Sequence, residues 1–84
     1  MPLPTGPVTL TPDEVAALNE KLSKLRHDIN NNLALVVAAV ELIRFKPHLT
    51  DQMLTTLSAQ PGKIAELIKT FSGELENALG VRRP

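Results

Sequence analysis

The residues that could carry chemistry cluster around His27, in the first half of the 84-residue sequence. Its imidazole is a titratable nucleophile. On a helix, the residues three and four positions away share its face, and these are Ser23, Lys24, Asn30 and Asn31. Ala34, seven positions on, follows on the same face. Asp28 directly follows His27, about 100° further around the helix. The pattern predicts a nucleophile with polar side chains on both adjacent turns.

Three consecutive asparagines, at positions 30–32, follow the histidine. Asn is a poorer helix former than Ala, by roughly 0.6 kcal/mol per residue. Residues that disfavour the helix, placed in the middle of an otherwise favourable helical sequence and without a gain in packing, indicate a functional site. The alternative is a tolerated polar patch, in which Asn32 partly faces the core and specifies the register of the packed helices.

The element that must position His27 is a long helix. Residues 11–14 have the types and spacing of a capping box, with proline at the first helical position. Pro47 should end the helix near Phe45 or Lys46, after about 34 residues. Apolar residues recur every three or four positions: Val15, Leu18, Leu22, Leu25, Ile29, Leu33, Val36, Val40 and Ile43. Because Leu25 lies on this stripe, His27 should point to solvent.

A second helix follows after a connection of three or four residues around His48. Thr50 is its expected N-cap and Gly80 its expected stop. Its stripe is Leu54, Leu57, Pro61, Ile64, Ile68, Phe71, Leu75 and Ala78. Pro61 predicts a kink near Gln60, and a full break is the competing possibility. So short a connection predicts an all-α fold, an antiparallel two-helix hairpin.

The first helix carries a second apolar stripe at Leu35, Ala38, Leu42 and Phe45. One partner helix cannot cover both stripes, so this helix needs neighbours on more than one side. A second copy of the hairpin would supply them, giving a homodimer with a four-helix bundle. The alternative is a monomer in which a break at Pro61 creates a third helix.

Length and composition allow one small domain and exclude several function classes. Residues 1–10 are expected to form a flexible leader, residues 11–80 the hairpin domain, and residues 81–84 a frayed tail. Nine acidic and nine basic side chains leave no net charge, so neither nucleic acid nor a membrane is an expected partner. The chain has no cysteine, which is compatible with the cytoplasm.

A metal site is not expected. The two histidines, His27 and His48, are separated by roughly 30 Å of helix at 1.5 Å per residue. Without cysteine, no thiolate ligands exist. His48, beside a proline, is expected to be a loop residue.

Residues 25–33 read Leu-Arg-His-Asp-Ile-Asn-Asn-Asn-Leu. This stretch resembles the phosphoacceptor box of the dimerisation and histidine-phosphotransfer domains of sensor histidine kinases. In that family the box reads His, an acidic residue, an apolar residue, any residue, Thr or Asn, often Pro or Asn, and then Leu. Every position is filled here. The resemblance covers about residues 12–79 and implies a hairpin that dimerises into a four-helix bundle.

The resemblance also implies roles for three residues. His27 would accept a phosphoryl group on an imidazole nitrogen. Asp28 would polarise the other ring nitrogen and raise the nucleophilicity of the first. Asn31 would orient a water molecule or the phosphoryl group during dephosphorylation.

Three neighbouring residues are expected to contribute to binding. Lys24, one turn before His27, would offset the charge of a phosphoryl group. Asn30 shares the same polar surface. The small Ala34 would let a partner approach closely.

In the family an ATP-binding domain normally follows the hairpin, and 84 residues leave no room for it. We therefore do not expect autophosphorylation by this chain alone. The phosphoryl group would be exchanged with the aspartate of a response-regulator receiver domain, or come from a kinase acting in trans. Mg²⁺ is expected on the receiver domain, and no cofactor on this chain. Phosphatase activity toward the receiver is a further possibility.

The alternative function is a non-catalytic helical dimerisation scaffold, derived from a histidine kinase, that binds a partner through the same surface. A lone exposed histidine is most often only a solvated polar residue. The occurrence of His27, Asp28 and Asn31 together favours phosphotransfer.

Overall fold

The computed structural model describes residues 4–80, which form an all-α hairpin. Helix α1 spans Pro12–Phe45, a 3-10 turn spans Pro47–Leu49, and helix α2 spans Thr50–Ala78. The two helices pack against each other, and no strand occurs among residues 4–80. The predicted two-helix hairpin is confirmed. The predicted tail at 81–84 and the first three leader residues lie outside the described residues.

Helix α1 begins at the predicted capping box. The Thr11 hydroxyl accepts a hydrogen bond from the Glu14 N–H at 3.2 Å, and the Glu14 carboxylate accepts one from the Thr11 N–H at 3.1 Å. Pro12 takes the first helical position, where no N–H donor is needed. The helix then runs unbroken for 34 residues, the predicted length, and so carries His27 on a regular element.

The start of α2 differs from the prediction. Leu49 is the N-cap and supplies no side-chain hydrogen bond, whereas Thr50 is already helical. The Thr50 hydroxyl instead donates to the Pro47 carbonyl at 2.6 Å. The 3-10 turn leads directly into α2 and leaves Thr50 without the extended backbone that an N-cap needs. Gly80, with a φ of 71°, follows the helix in the left-handed conformation typical of a stop.

Pro61 lies inside α2, which continues through it without interruption. The alternatives of a full break and of a third helix are therefore wrong. The predicted place of Pro61 in the apolar stripe is also wrong, because Pro61 is exposed and Gln60 is buried instead, with 2% of its surface exposed. Gln60 lies three residues after Leu57 and four residues before Ile64, so it is on the same inward-facing side of α2 as they are. Pro61 lies about 100° further around the helix. The kink stays a prediction.

The two helices meet along one inward-facing row on each. The rows are Leu18, Leu25, Ile29, Asn32, Val36, Ala39 and Ile43 on α1, and Met53, Leu57, Gln60, Ile64, Leu67, Phe71, Leu75 and Ala78 on α2. Within the described range, Ala39 is the one buried apolar residue. The other apolar side chains of the rows are only half-buried, so a single hairpin covers part of its apolar surface and no more.

Several large apolar side chains remain exposed, and six of them lie on one side of the hairpin. This apolar face consists of Val15, Leu22, Leu33 and Val40 on α1, and Leu54 and Ile68 on α2. The sequence stripes assigned all six to the contact between the helices, but one partner helix covers only the inward rows. The homodimer, expected to bury the second stripe together with the first, stays a prediction, and this face offers a second copy a further apolar surface. Neither helix, within residues 4–80, has the length and hydrophobicity needed to cross a membrane.

The leader residues 4–8 have no helical structure and line a cavity of about 380 Å³ together with Leu79 and Gly80. This part of the leader therefore lies against the end of α2, at the end of the hairpin remote from the turn.

Candidate functional site

His27 is exposed on the outer side of α1. It follows Leu25, whose side chain faces α2, by two residues, so the imidazole points about 200° away from that contact. The three asparagines that follow are all helical and do not interrupt α1. The fold thus presents the ring to solvent from a regular helix, as the heptad pattern predicts.

The imidazole of His27 contacts the amide of Asn31. Nδ2 of Asn31 lies 3.3 Å from Nε2 of His27, one turn further along the same side of α1. When the amide donates this hydrogen bond, Nε2 must be unprotonated and the ring proton must lie on Nδ1. The structure therefore brings together two of the three residues predicted to act in catalysis.

Asp28, the third of these residues, makes a different contact. Its Oδ2 accepts a hydrogen bond from Nζ of Lys24 at 3.0 Å, within an ion pair four residues apart. The Asp28 side chain is 27% exposed and the Lys24 side chain 77%. Asp28 lies about 100° around the helix from His27, and its carboxylate makes no hydrogen bond to the ring. The structure pairs Asp28 with Lys24 and does not bring it to the imidazole.

The three asparagines occupy three different environments. Asn30 is exposed, and its side chain makes no hydrogen bond to another residue in the described range. Asn31 contacts the imidazole. Asn32 is half-buried in the inward row, where its Nδ2 donates to the Asp28 carbonyl at 2.9 Å. The sequence-based alternative for Asn32, that it partly faces the core, is confirmed. Ala34 is exposed near the imidazole, beyond Asn31.

An open groove of about 910 Å³ runs between α1 and α2, on the side of the hairpin opposite the apolar face. Its floor is mostly apolar and consists of Leu25, Leu67 and Phe71, together with the half-buried Asn32. Its α1 rim consists of Lys21, Lys24, Asp28 and Asn31, and its α2 rim of Ala59, Gly62, Lys63, Glu66, Thr70 and Glu74. Three predicted site residues, Lys24, Asp28 and Asn31, therefore line the groove beside the imidazole.

The rims of the groove carry charges that are not neutralised within it. Lys24 and Asp28 pair with each other on the α1 rim. Lys21, Lys63, Glu66 and Glu74 form no ion pair with another residue of the described chain. These charges, all exposed except the half-buried Glu74, flank a mostly apolar floor, an arrangement that fits an amphipathic surface of a partner.

The second apolar stripe extends the groove toward the turn. Leu35 and Leu42 precede inward residues by one position, as do Lys24, Asp28 and Asn31 of the groove rim. They are 49% and 36% exposed, and Phe45 at the end of α1 is 75% exposed. One side of the hairpin therefore offers a continuous surface, polar beside His27 and apolar near the turn.

Sequence reasoning missed the α2 side of this site. The signal was present, because Ala59, Lys63, Glu66, Thr70 and Glu74 each precede an inward residue by one position and are small, polar or charged. The residues that follow the inward row, by contrast, include Leu54 and Ile68. The residues that precede each inward row thus indicate a groove, and the residues that follow it indicate an apolar face.

No group of three or more metal-binding side chains occurs among residues 4–80. His48 is exposed in the 3-10 turn, more than five helical turns along the chain from His27. The acidic residues nearest His27 belong to the groove rim, where lysines accompany them. The chemistry available at this site is that of a nucleophilic imidazole with amide, ammonium and carboxylate neighbours.

Comparisons with protein-family models, curated proteins and solved structures gave no match to this chain. The function must therefore be argued from the chemistry and geometry of the His27 site.

Proposed function

We propose that this chain is a phosphotransfer protein of two-component signalling. His27 carries the phosphoryl group and exchanges it with the aspartate of a response-regulator receiver domain. The observation that carries the proposal is an exposed imidazole, on a regular helix, in contact with the amide of Asn31 and beside an open groove. The phosphoacceptor-like order of residues 25–33 supports it independently. We place the protein in the cytoplasm, where its receiver-domain partner would be. The absence of cysteine is compatible with that reducing compartment.

The transfer needs only groups present on the two partners. The lone pair of a ring nitrogen of His27 attacks the phosphorus of the receiver's aspartyl phosphate. An N–P bond forms as the P–O bond breaks, and the electron pair of that bond returns to the receiver's carboxylate. The ring proton then passes to water. Mg²⁺ on the receiver neutralises the phosphoryl oxygens, so this chain needs no metal of its own.

The neighbours of His27 would act on the charge and position of the phosphoryl group. The exposed ammonium of Lys24 can turn from Asp28 toward a phosphoryl group one turn away, where it would form a charge-assisted hydrogen bond. Release of Lys24 frees the Asp28 carboxylate to polarise the imidazole. Asn31 already lies at the ring and would orient water or phosphoryl oxygens there.

A receiver domain would dock along the groove side of α1. Ala34 and the exposed Asn30 add little bulk near the ring, which leaves room for the receiver's active site. The mostly apolar floor of the groove and the exposed Leu35, Leu42 and Phe45 supply apolar contact area beyond it. The docked receiver would bury groove and stripe together.

A second copy of the chain would cover the opposite side. The apolar face presents large side chains along both helices, and pairing two such faces around a twofold axis buries them all. The resulting homodimer is a four-helix bundle in which both copies of His27 point outward. The same packing would complete the thin core of the single hairpin.

The test is transfer from a receiver domain labelled with radioactive phosphate. We expect the label to move to this chain as acid-labile, base-stable phosphate. His27→Ala should abolish the transfer, whereas His48→Ala should retain it. If neither several phosphorylated receivers nor a set of histidine kinases acting in trans label a correctly folded chain, phosphotransfer is wrong.

One observation favours a second candidate function, a non-catalytic dimerisation scaffold. The Asp28 carboxylate is engaged by Lys24 and not by the imidazole, so the catalytic arrangement is incomplete in the isolated chain. A scaffold would bind its receiver equally well with or without His27. Calorimetry with His27→Ala and an unphosphorylatable receiver, combined with the label experiment, separates binding from transfer.

A further inference from the structure

Asn31 connects the groove and the imidazole. It lines the groove, and among the described groove residues it is the one hydrogen-bonded to the His27 ring. We propose that Asn31 gates His27: in the resting chain its amide covers Nε2 and restrains attack by that nitrogen. The role of the gate in signalling rests on the proposed function. The hydrogen bond between Asn31 and His27, and its effect on the reactivity of the imidazole, do not depend on that function.

Both ring nitrogens are restrained when the amide donates to Nε2. The lone pair of Nε2 is occupied by the hydrogen bond, and Nδ1 carries the ring proton and has no lone pair for attack. Asp28, the carboxylate nearest in sequence, is held by Lys24 at 3.0 Å and does not compete for the ring. The resting imidazole is therefore exposed to solvent but not fully available as a nucleophile.

The gate opens by rotation of one side chain. Asn31 is exposed, and its side-chain torsions are free to turn the amide away from the ring toward another acceptor. Its position on the groove rim places this amide within reach of whatever occupies the groove. The net strength of one exposed hydrogen bond sets the scale of the restraint at roughly two- to tenfold in reactivity.

The test uses diethyl pyrocarbonate, which modifies a histidine without phosphoryl chemistry. A ring nitrogen attacks a carbonyl carbon of the reagent, an N–C bond forms, ethyl carbonate leaves and decays to ethanol and carbon dioxide, and the ring proton passes to water. The exposed His48 in the turn is an internal reference on the same chain. The measured quantity is the ratio of the modification rates of His27 and His48, obtained by peptide mass spectrometry.

Asn31→Ala should raise this ratio about two- to tenfold. Asn30→Ala is the matched control, because Asn30 is an adjacent exposed asparagine of the same helix that makes no hydrogen bond to the ring. Both variants improve helix propensity equally, so helicity by circular dichroism should be retained in both. An unchanged ratio in Asn31→Ala, or an equal rise in Asn30→Ala, would overturn the gate.

Asn31→Asp provides a second, independent readout. A carboxylate at this position can only accept, so it should bond to an Nε2–H group and shift the ring proton from Nδ1 to Nε2. Nitrogen NMR of His27 at a pH where the ring is neutral should show this change of tautomer, and Asn30→Asp should not. The same tautomer in Asn31→Asp and the unmodified chain would contradict the proposal. Because neither readout involves phosphate, the gate and phosphotransfer can fail separately.

Discussion

The two long sides of the hairpin differ in what they expose. The apolar face presents large aliphatic side chains along both helices, among them Leu33 and Leu54. The groove on the other side has a mostly apolar floor but rims of lysine, glutamate and asparagine, and His27 points outward beside it. A surface rich in aliphatic side chains fits a second copy of itself, whereas apolar area framed by charges fits a different, amphipathic partner. One short chain can thus separate self-association from partner recognition.

The largest expected effect is on the apolar face. Leu33→Glu would place an unpaired carboxylate in the centre of the predicted dimer interface, and burying such a charge costs enough to weaken the dimer by about a hundredfold or more. Sedimentation equilibrium should then show monomers at concentrations where the unmodified chain is dimeric. Ala34→Glu, one residue further along and on the His27 side, should leave the association unchanged. Equal association of all three chains would mean that this face is not the interface.

A smaller effect is expected in the floor of the groove. Phe71 is half-buried and lines the groove, so Phe71→Ala should lower the free energy of unfolding by about 2 kcal/mol, less than for a fully buried Phe. It should also weaken receiver binding, which Thr70→Ala on the rim should affect less. Urea unfolding at fixed protein concentration measures the first effect and calorimetry the second. A loss of stability without any loss of binding would remove the groove from the docking surface.

Asn32 tests the boundary between the two sides. It is a half-buried amide in an otherwise mostly apolar inward row. Asn32→Leu should raise the free energy of unfolding by about 1 kcal/mol, from improved helix propensity and from apolar burial. Asn30→Leu, at an exposed position, gains only the propensity contribution of roughly half that size. If Asn32→Leu destabilises the chain, its hydrogen bond to the Asp28 carbonyl is worth more than the buried apolar area.

The smallest effect is expected for the ion pair on the groove rim. Lys24 is highly exposed, and such pairs contribute little to stability, so Lys24→Met should change the free energy of unfolding by less than about 0.5 kcal/mol. Its effect on phosphotransfer should be larger, several-fold in rate, because the ammonium would contact the phosphoryl group. Lys21→Met, one turn earlier on the same rim, is the control. Transfer rates that are the same in the two variants would leave Lys24 without a specific role.

The backbone of the fold could be predicted because its signals are local. The capping box at Thr11, the proline at position 47 and the glycine at position 80 each act on neighbouring backbone groups, and they set the two bounds of α1 and the end of α2. The exposure of His27 follows from its phase relative to Leu25. Local rules failed at Thr50, because the preceding 3-10 turn decides its backbone conformation. They also failed at Pro61, because the inward-facing position that was predicted for it belongs to the preceding residue, Gln60.

The candidate site was only partly predictable because its contacts depend on competition between side chains. Asn31 reaches the imidazole, as its spacing of four predicts. Asp28 also has a residue at a spacing of four, Lys24, and that ion pair takes the carboxylate away from the ring. The groove could not be predicted from α1 alone, because more than half of its lining residues lie on α2.

The most direct test of the central claim is to locate the phosphoryl group after reaction with a phosphorylated receiver domain. Phosphorus NMR should show a phosphoramidate signal on the folded chain, and peptide mapping under alkaline conditions should assign it to His27. We expect one modified histidine per chain and no phosphoryl group on His48. A phosphoryl group on His48, on a serine or threonine, or on no residue of a dimer that binds the receiver would contradict it.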